Sequence, residues 1–235
     1  MNVILNKPVA LFYLATLFAA MAMAQQSFNL ADLDRTIEAE LAASKTPGAS
    51  VVVIVGDKVV FAKGFGKTSA EEGQPITADT LFRMGSTTKM FTAASLVTLA
   101  ANGKIKLDAP IGNYVKDLSP RIALLTPHQL LSQSSGIRDF AALVTTNDDA
   151  GLSQNIRKYN DDVFFTSPGK VYSYSSPGNW LAGFMTEELN GKPYSDSLAE
   201  LLFKPLGMTR SCVRRWTLFL TPWRSGTRLQ TVRRW

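Results

Sequence analysis

Between Leu81 and Gly103 the chain reads LFRMGSTTKMFTAASLVTLAANG, and no other stretch constrains the possible folds as much. A short apolar run breaks at Gly85. Beyond Ser86, apolar residues at Met90, Phe91, Ala94, Leu96, Val97 and Leu99 cover most of a helix surface, which predicts a helix inside the fold rather than on its surface. Gly103 supplies the stop. Ser86 and Lys89 are three residues apart, so on a helix they share a face and lie within reach of each other. A hydroxyl beside an amine is what a serine nucleophile requires. On sequence alone the competing reading is a plain N-cap followed by a solvated lysine.

The segments on either side suggest what packs with this helix. Leu30 to Ser44 places Leu30, Leu33, Ile37 and Leu41 at helical spacing with acids between them, and Pro47-Gly48 ends the pattern. Two β-branched runs, Ala49 to Val55 and Val59 to Phe65, flank Gly56-Asp57-Lys58 and predict a hairpin. Both runs are almost continuously apolar, so the sheet is expected to be covered on both faces, by the helix before it and the helix after it. Further on, Pro110 starts a small helix over Ile111 to Tyr114. Thr126 then caps a helix with Pro127 at its first position, closed by Ser134-Ser135-Gly136. Asp139 to Asp162 reads as helix and loop around the site. Ser167-Pro168-Gly169 is a turn, Val171 to Tyr174 is extended, and helices follow over Gly178 to Leu189 and Tyr194 to Phe203. Strands and helices without repeat or linker indicate an α/β (α+β) fold with an inserted helical subdomain.

Composition matters at the two ends. Lys7, the apolar run Val9 to Met23 and the small-x-small site Ala22-Met23-Ala24 read as a secretory signal over residues 1–24, with a mature chain from Gln25. A membrane anchor is the competing reading, but the run falls short of the ~18 uninterrupted apolar residues a span needs. The one cysteine, Cys212, excludes an intrachain disulfide, so an exported fold must rely on its core. The formal charge of +6 suggests a nucleic-acid or membrane partner until it is located. From Cys212 onward there are six arginines and no Asp, Glu or Lys, so the tail carries all of it and the body sums to zero. No nucleic-acid partner is expected.

A Ser-x-x-Lys match is weak, and a second occurs at Ser167 and Lys170, where Pro168-Gly169 forbids a shared helical face. Other segments add to the first. Gly85-Ser86-Thr87-Thr88-Lys89, Leu130 to Gly136 (LLSQSSG), Pro168-Gly169 before Tyr172 to Ser176 (YSYSS), and Pro205 to Thr209 (PLGMT) occur in an order that resembles the serine β-lactamase and penicillin-binding superfamily. The resemblance spans about Leu30 to Ser211. It is to the class C β-lactamase-like branch, which includes D,D-carboxypeptidases, D-aminopeptidases and esterases. It implies a β-lactamase/transpeptidase-like fold, an antiparallel sheet flanked by helices, and acyl transfer through an acyl-serine. Ser86 would be the nucleophile. Lys89, or Tyr174 as the tyrosine of a Tyr-x-Asn motif, would be the base. A lysine with the ordinary pKa of about 10.4 is a poor base at neutral pH unless burial or other cations favour its neutral form, and a phenolate beside a lysine is the alternative.

Two departures from the family pattern bear on substrate. Ser176 stands where the family has an asparagine that holds the substrate amide, which favours ester substrates or a degenerate site. No His-x-Gly or Lys-Thr-Gly match is present for the downstream strand that gives a second oxyanion donor, a loss worth on the order of 10²–10³ in rate. The family-like pattern stops at Ser211, and residues 212–235 hold Trp216, Trp223 and Trp235 beside the six arginines. We read residues 25–211 as an incomplete domain with its last strands missing, and the tail as out of frame. A genuine basic, aromatic membrane-binding tail is the competitor. His128 lacks acid or cysteine neighbours in sequence, so no metal or cofactor is expected, and Asp139, Asp148 and Asp149 read as solvated loop charges. The expected protein is a periplasmic or secreted serine hydrolase acting on a small-molecule or peptidoglycan-derived substrate, without a membrane span after signal cleavage. The alternative is a catalytically incomplete, weakly penicillin-binding homologue.

Overall fold

The computed structural model describes residues 30–213 apart from 144, 145 and 147. The expected signal segment and the tail beyond Val213 lie outside the described residues. The chain divides into two compact units, Met1–Phe82 and Arg83–Trp235.

The first unit consists of α1 (Leu30–Ser44) and a hairpin of β1 (Gly48–Val55) and β2 (Lys58–Gly66). The strands pair antiparallel from Gly48 opposite Gly66 to Val55 opposite Lys58, with a register shift between Val53 and Ile54. An ion pair between Asp34 and Lys63 ties α1 to β2. The chain then returns across the strand end, where the Ile76 N–H donates to the Gly66 carbonyl at 3.0 Å. A Cβ on Gly64 would lie 2.2 Å from the Ile76 carbonyl oxygen, so only glycine allows this approach. Among the described residues the expected two-sided cover of the sheet is not found: Val52, Ile54, Val55 and Val59 are 58–62% exposed. An apolar run reports what a strand can bury. It does not report whether a second layer exists to bury it, and here α1 packs against β2.

The second unit is helical. A 3₁₀ turn, Gly85–Thr87, leads into α2 (Thr88–Ala101), whose chain reverses at Gly103 in the left-handed region, φ 72°. A 3₁₀ turn at Ile111–Asn113 stands where a small helix was expected, and α3 (Pro120–Ala123), which the pattern did not reveal, follows. Then come α4 (Pro127–Leu131), α5 (Gly151–Ile156), a 3₁₀ turn (Asp161–Val163), α6 (Ser176–Asn190) and α7 (Tyr194–Leu198), which continues as a π-helical turn over Ala199–Phe203. Thr126 caps α4 as expected and forms a full capping box: the Gln129 N–H donates to its hydroxyl, and its own N–H donates to the Gln129 side chain.

Leu96 and Leu99 of α2, Leu125, Leu130, Ile137, and Leu181, Phe184 and Met185 of α6 form the centre of one buried cluster. Burying each such side chain contributes about 1.5–3 kcal/mol. Hydroxyl bonds join the same layers: Ser95 to Thr186 at 2.8 Å between α2 and α6, and Thr92 to Tyr194 at 2.6 Å between α2 and α7. The expectation that apolar atoms bury most of α2 holds for one face only, since Met90 is 60% exposed and Val97 48%. Its packing partners, α6, α7 and the π-helical turn, take the face bearing Thr92, Ser95, Leu96 and Leu99. Among the described residues no helix is long and apolar enough to cross a membrane.

Candidate active site

Ser86 lies within the 3₁₀ turn that opens α2, and residues 81–84 before it form no strand. Lys89 follows three residues later in the first turn of α2, which brings it to the same face as Ser86. The Lys89 ammonium donates to Ser86 Oγ at 3.2 Å. Ser86 is not the helix cap either. Thr87 holds the cap position and makes no side-chain capping bond, so the serine hydroxyl is not engaged in capping the α-helix.

The second wall comes from a distant part of the chain. Tyr174 OH lies 2.6 Å from Ser86 Oγ, and Lys89 Nζ stands 4.7 Å from the centre of the Tyr174 ring. Lys89 is half-buried, whereas Tyr174 is 43% exposed. The Lys89 ammonium is the largest cause holding the Tyr174 phenol below its ordinary range, followed by hydrogen bonds from Ser86 and Ser176. The structure thus brings together all four residues singled out in the sequence, Ser86, Lys89, Tyr174 and Ser176.

The tyrosine's place is fixed by its neighbours. Ser175 is buried and caps α6, accepting from the Gly178 N–H at 3.0 Å. The Ser176 N–H donates to Asp139 Oδ1 at 2.8 Å. Asp139, read from sequence as a solvated loop charge, is therefore bound to the first residue of α6. Asn179, close enough in sequence to replace the missing asparagine, is buried and donates to the Ser175 carbonyl at 3.4 Å. The helix starts at Ser176, two residues before the expected Gly178, and a serine followed by Pro177 in the first turn was the local signal for that start. Asp139 had no such signal, because its contact spans 37 residues.

The second Ser-x-x-Lys pair falls in a turn at Pro168-Gly169, with no helix to align Ser167 and Lys170. His128 is exposed in the first turn of α4, and no group of three His, Cys, Asp or Glu able to hold a metal occurs among the described residues. The Cys212 thiol is half-buried and raised by that burial.

The β-lactamase family profile matches residues 33–218. The chain belongs to the β-lactamase family. It is 30% identical over 200 residues to esterase EstB of Burkholderia gladioli, covering 77% of this chain and 50% of that one. Among solved structures it superposes on an octameric penicillin-binding protein homologue from Pyrococcus abyssi with a TM-score of 0.68 at 28% identity, covering 77% of this chain and 44% of the other. A D-amino acid amidase from Ochrobactrum anthropi SV3, complexed with L-phenylalanine amide, gives 0.65 at 29% identity, covering 77% and 51%. The chain spans about half the length of these relatives. Its architecture is the β-lactamase/transpeptidase-like fold, and it falls within a family of serine hydrolases.

Proposed function

We propose that this chain is an exported serine hydrolase that forms an acyl-serine at Ser86. The observation carrying the proposal is the convergence of Ser86 Oγ, Tyr174 OH and Lys89 Nζ, with 2.6 Å and 3.2 Å from the serine oxygen to the other two. Tyr174 as phenolate takes the Ser86 proton, Ser86 Oγ attacks the substrate carbonyl, and the tetrahedral oxyanion forms. Collapse expels the alkoxide or amine, which takes the proton back from Tyr174, and water repeats the sequence to release the acid. Lys89 keeps the phenolate charged and contacts the serine oxygen. Tyr174 is the better candidate for the base because it is nearer the nucleophile and its phenol is lowered by the ammonium beside it.

Small esters are the substrate class we favour. With Ser176 in place of an amide side chain, nothing of asparagine's length and donor capacity follows the tyrosine to hold a peptide or β-lactam carbonyl. The similarity to an esterase points the same way. A fluorophosphonate or labelled penicillin should acylate Ser86, located by peptide mass spectrometry. Labelling that persists in Ser86→Ala would end the assignment.

A second reading is binding without turnover. It draws on Ser176, whose short hydroxyl stands where an amide side chain would hold the substrate for turnover. A chromogenic ester separates the two: a stoichiometric burst without a steady phase would favour trapping, and continued turnover hydrolysis.

A further inference from the structure

At the end of α4 the chain turns through Ser132 and Gln133. The Gln133 N–H donates to the Leu130 carbonyl at 3.3 Å and the Ser134 N–H to the Gln129 carbonyl at 2.9 Å, a Schellman closure with Gln133 at its left-handed position, φ 59°. Glycine fits that position at least cost, and a side chain kept there against the backbone preference points to a use for it. Lys45 and Asp117 share the conformation, but both are exposed.

Gln133 is half-buried and reaches another segment with two groups. Its carbonyl accepts from the Ser173 N–H at 2.8 Å, and its side-chain Oε1 accepts from the Ser175 N–H at 2.7 Å. These are the residues immediately before and after Tyr174. A third bond, from the Gly169 N–H to the Ser134 carbonyl at 2.8 Å, fixes the start of the same segment.

We propose that Gln133 is the positioning residue of Tyr174, holding the backbone on both sides of it so that the phenol hydroxyl stands over Ser86. The carbonyl contact belongs to any residue at this position, whereas the Oε1 contact requires the amide. The assignment rests on the reading of Ser86, Lys89 and Tyr174 as the reacting groups. Lys89, beside the ring, and Asp139, on the Ser176 N–H, are charged groups at this end of the site, and the test alters neither.

Two variants separate positioning from simple structural support. Gln133→Gly gives the turn its favoured residue and removes the amide. Gln133→Met keeps chain length and left-handed strain and also removes the amide. Both should move the ionisation of Tyr174 to higher pH, followed by ultraviolet difference titration against Tyr174→Phe. Both should also slow fluorophosphonate labelling of Ser86 on the order of tenfold to a hundredfold. The glycine variant should melt no lower than the native chain, and the methionine variant lower. A native tyrosine titration in both variants would overturn the proposal, as would labelling that follows melting temperature and leaves the glycine variant fast. If the native chain fails to label, the catalytic reading fails on its own account, and the titration still decides whether Gln133 places the tyrosine.

Discussion

In the hairpin, Val52, Ile54, Val55 and Val59 leave 58–62% of their surface open, whereas in the helical unit Leu96, Leu99, Leu125 and Phe184 are completely enclosed. The hairpin is the more apolar of the two in sequence, and yet its side chains are the less enclosed. A pair of strands satisfies its inner backbone groups through its own ladder, and can persist as a ladder with one helix beside it. Short helices of five or six residues, such as α4 and α5, have no such independence and exist only where packing holds them. Ser86, Lys89 and Tyr174 all belong to the helical unit, so the proposed reacting groups rest on the better-packed part of the molecule.

This contrast can be broken or sharpened by substitution. The largest effect is expected at Lys89. Lys89→Met should slow acylation of Ser86 by about 10²–10⁴. Because Lys89 favours the ionised form of Tyr174, and acylation climbs as the phenol loses its proton, the rising limb of the pH–rate profile should also move to higher pH in this variant. Loss of rate without that displacement would separate the lysine from the tyrosine. Next is the core. Leu99→Ala, completely buried on α2, should cost about 2–5 kcal/mol by denaturant unfolding and remove labelling along with structure. The smallest effect is expected on the open face of the hairpin. Ile54→Thr, at a 60% exposed site, should change stability by no more than about 0.5 kcal/mol while reducing aggregation seen by light scattering. A large loss of stability at Ile54 would mean that this face is covered in solution, and the contrast between the units would disappear.

The sequence was most informative where the signal was local. The bounds of α1, the hairpin, the Thr126 cap and the Gly191 stop of α6 each follow from residues a few positions apart. The pairing of Ser86 with Lys89 was legible for the same reason, although Ser86 stands in the 3₁₀ turn and only Lys89 in the α-helix. Tyr174 and Ser176 became visible only through resemblance to the family, since nothing near them in sequence points to Ser86. Gln133 and Asp139 acquire meaning from contacts that cross about forty residues, and no periodicity encodes such contacts. The exposed sheet face was misread because an apolar run carries no information about its neighbour.

The bond between Ser86 and Tyr174 joins residues 88 positions apart. Closing a loop of that length costs chain entropy that contacts made along it must offset. Under the proposed chemistry, reactivity at Ser86 would time the assembly of the helical unit. Nascent or refolding chains that have formed α2 but not yet docked the Tyr174 segment would carry the nucleophile in a silent form. A pulse of acylating reagent during refolding would record the moment the two walls meet.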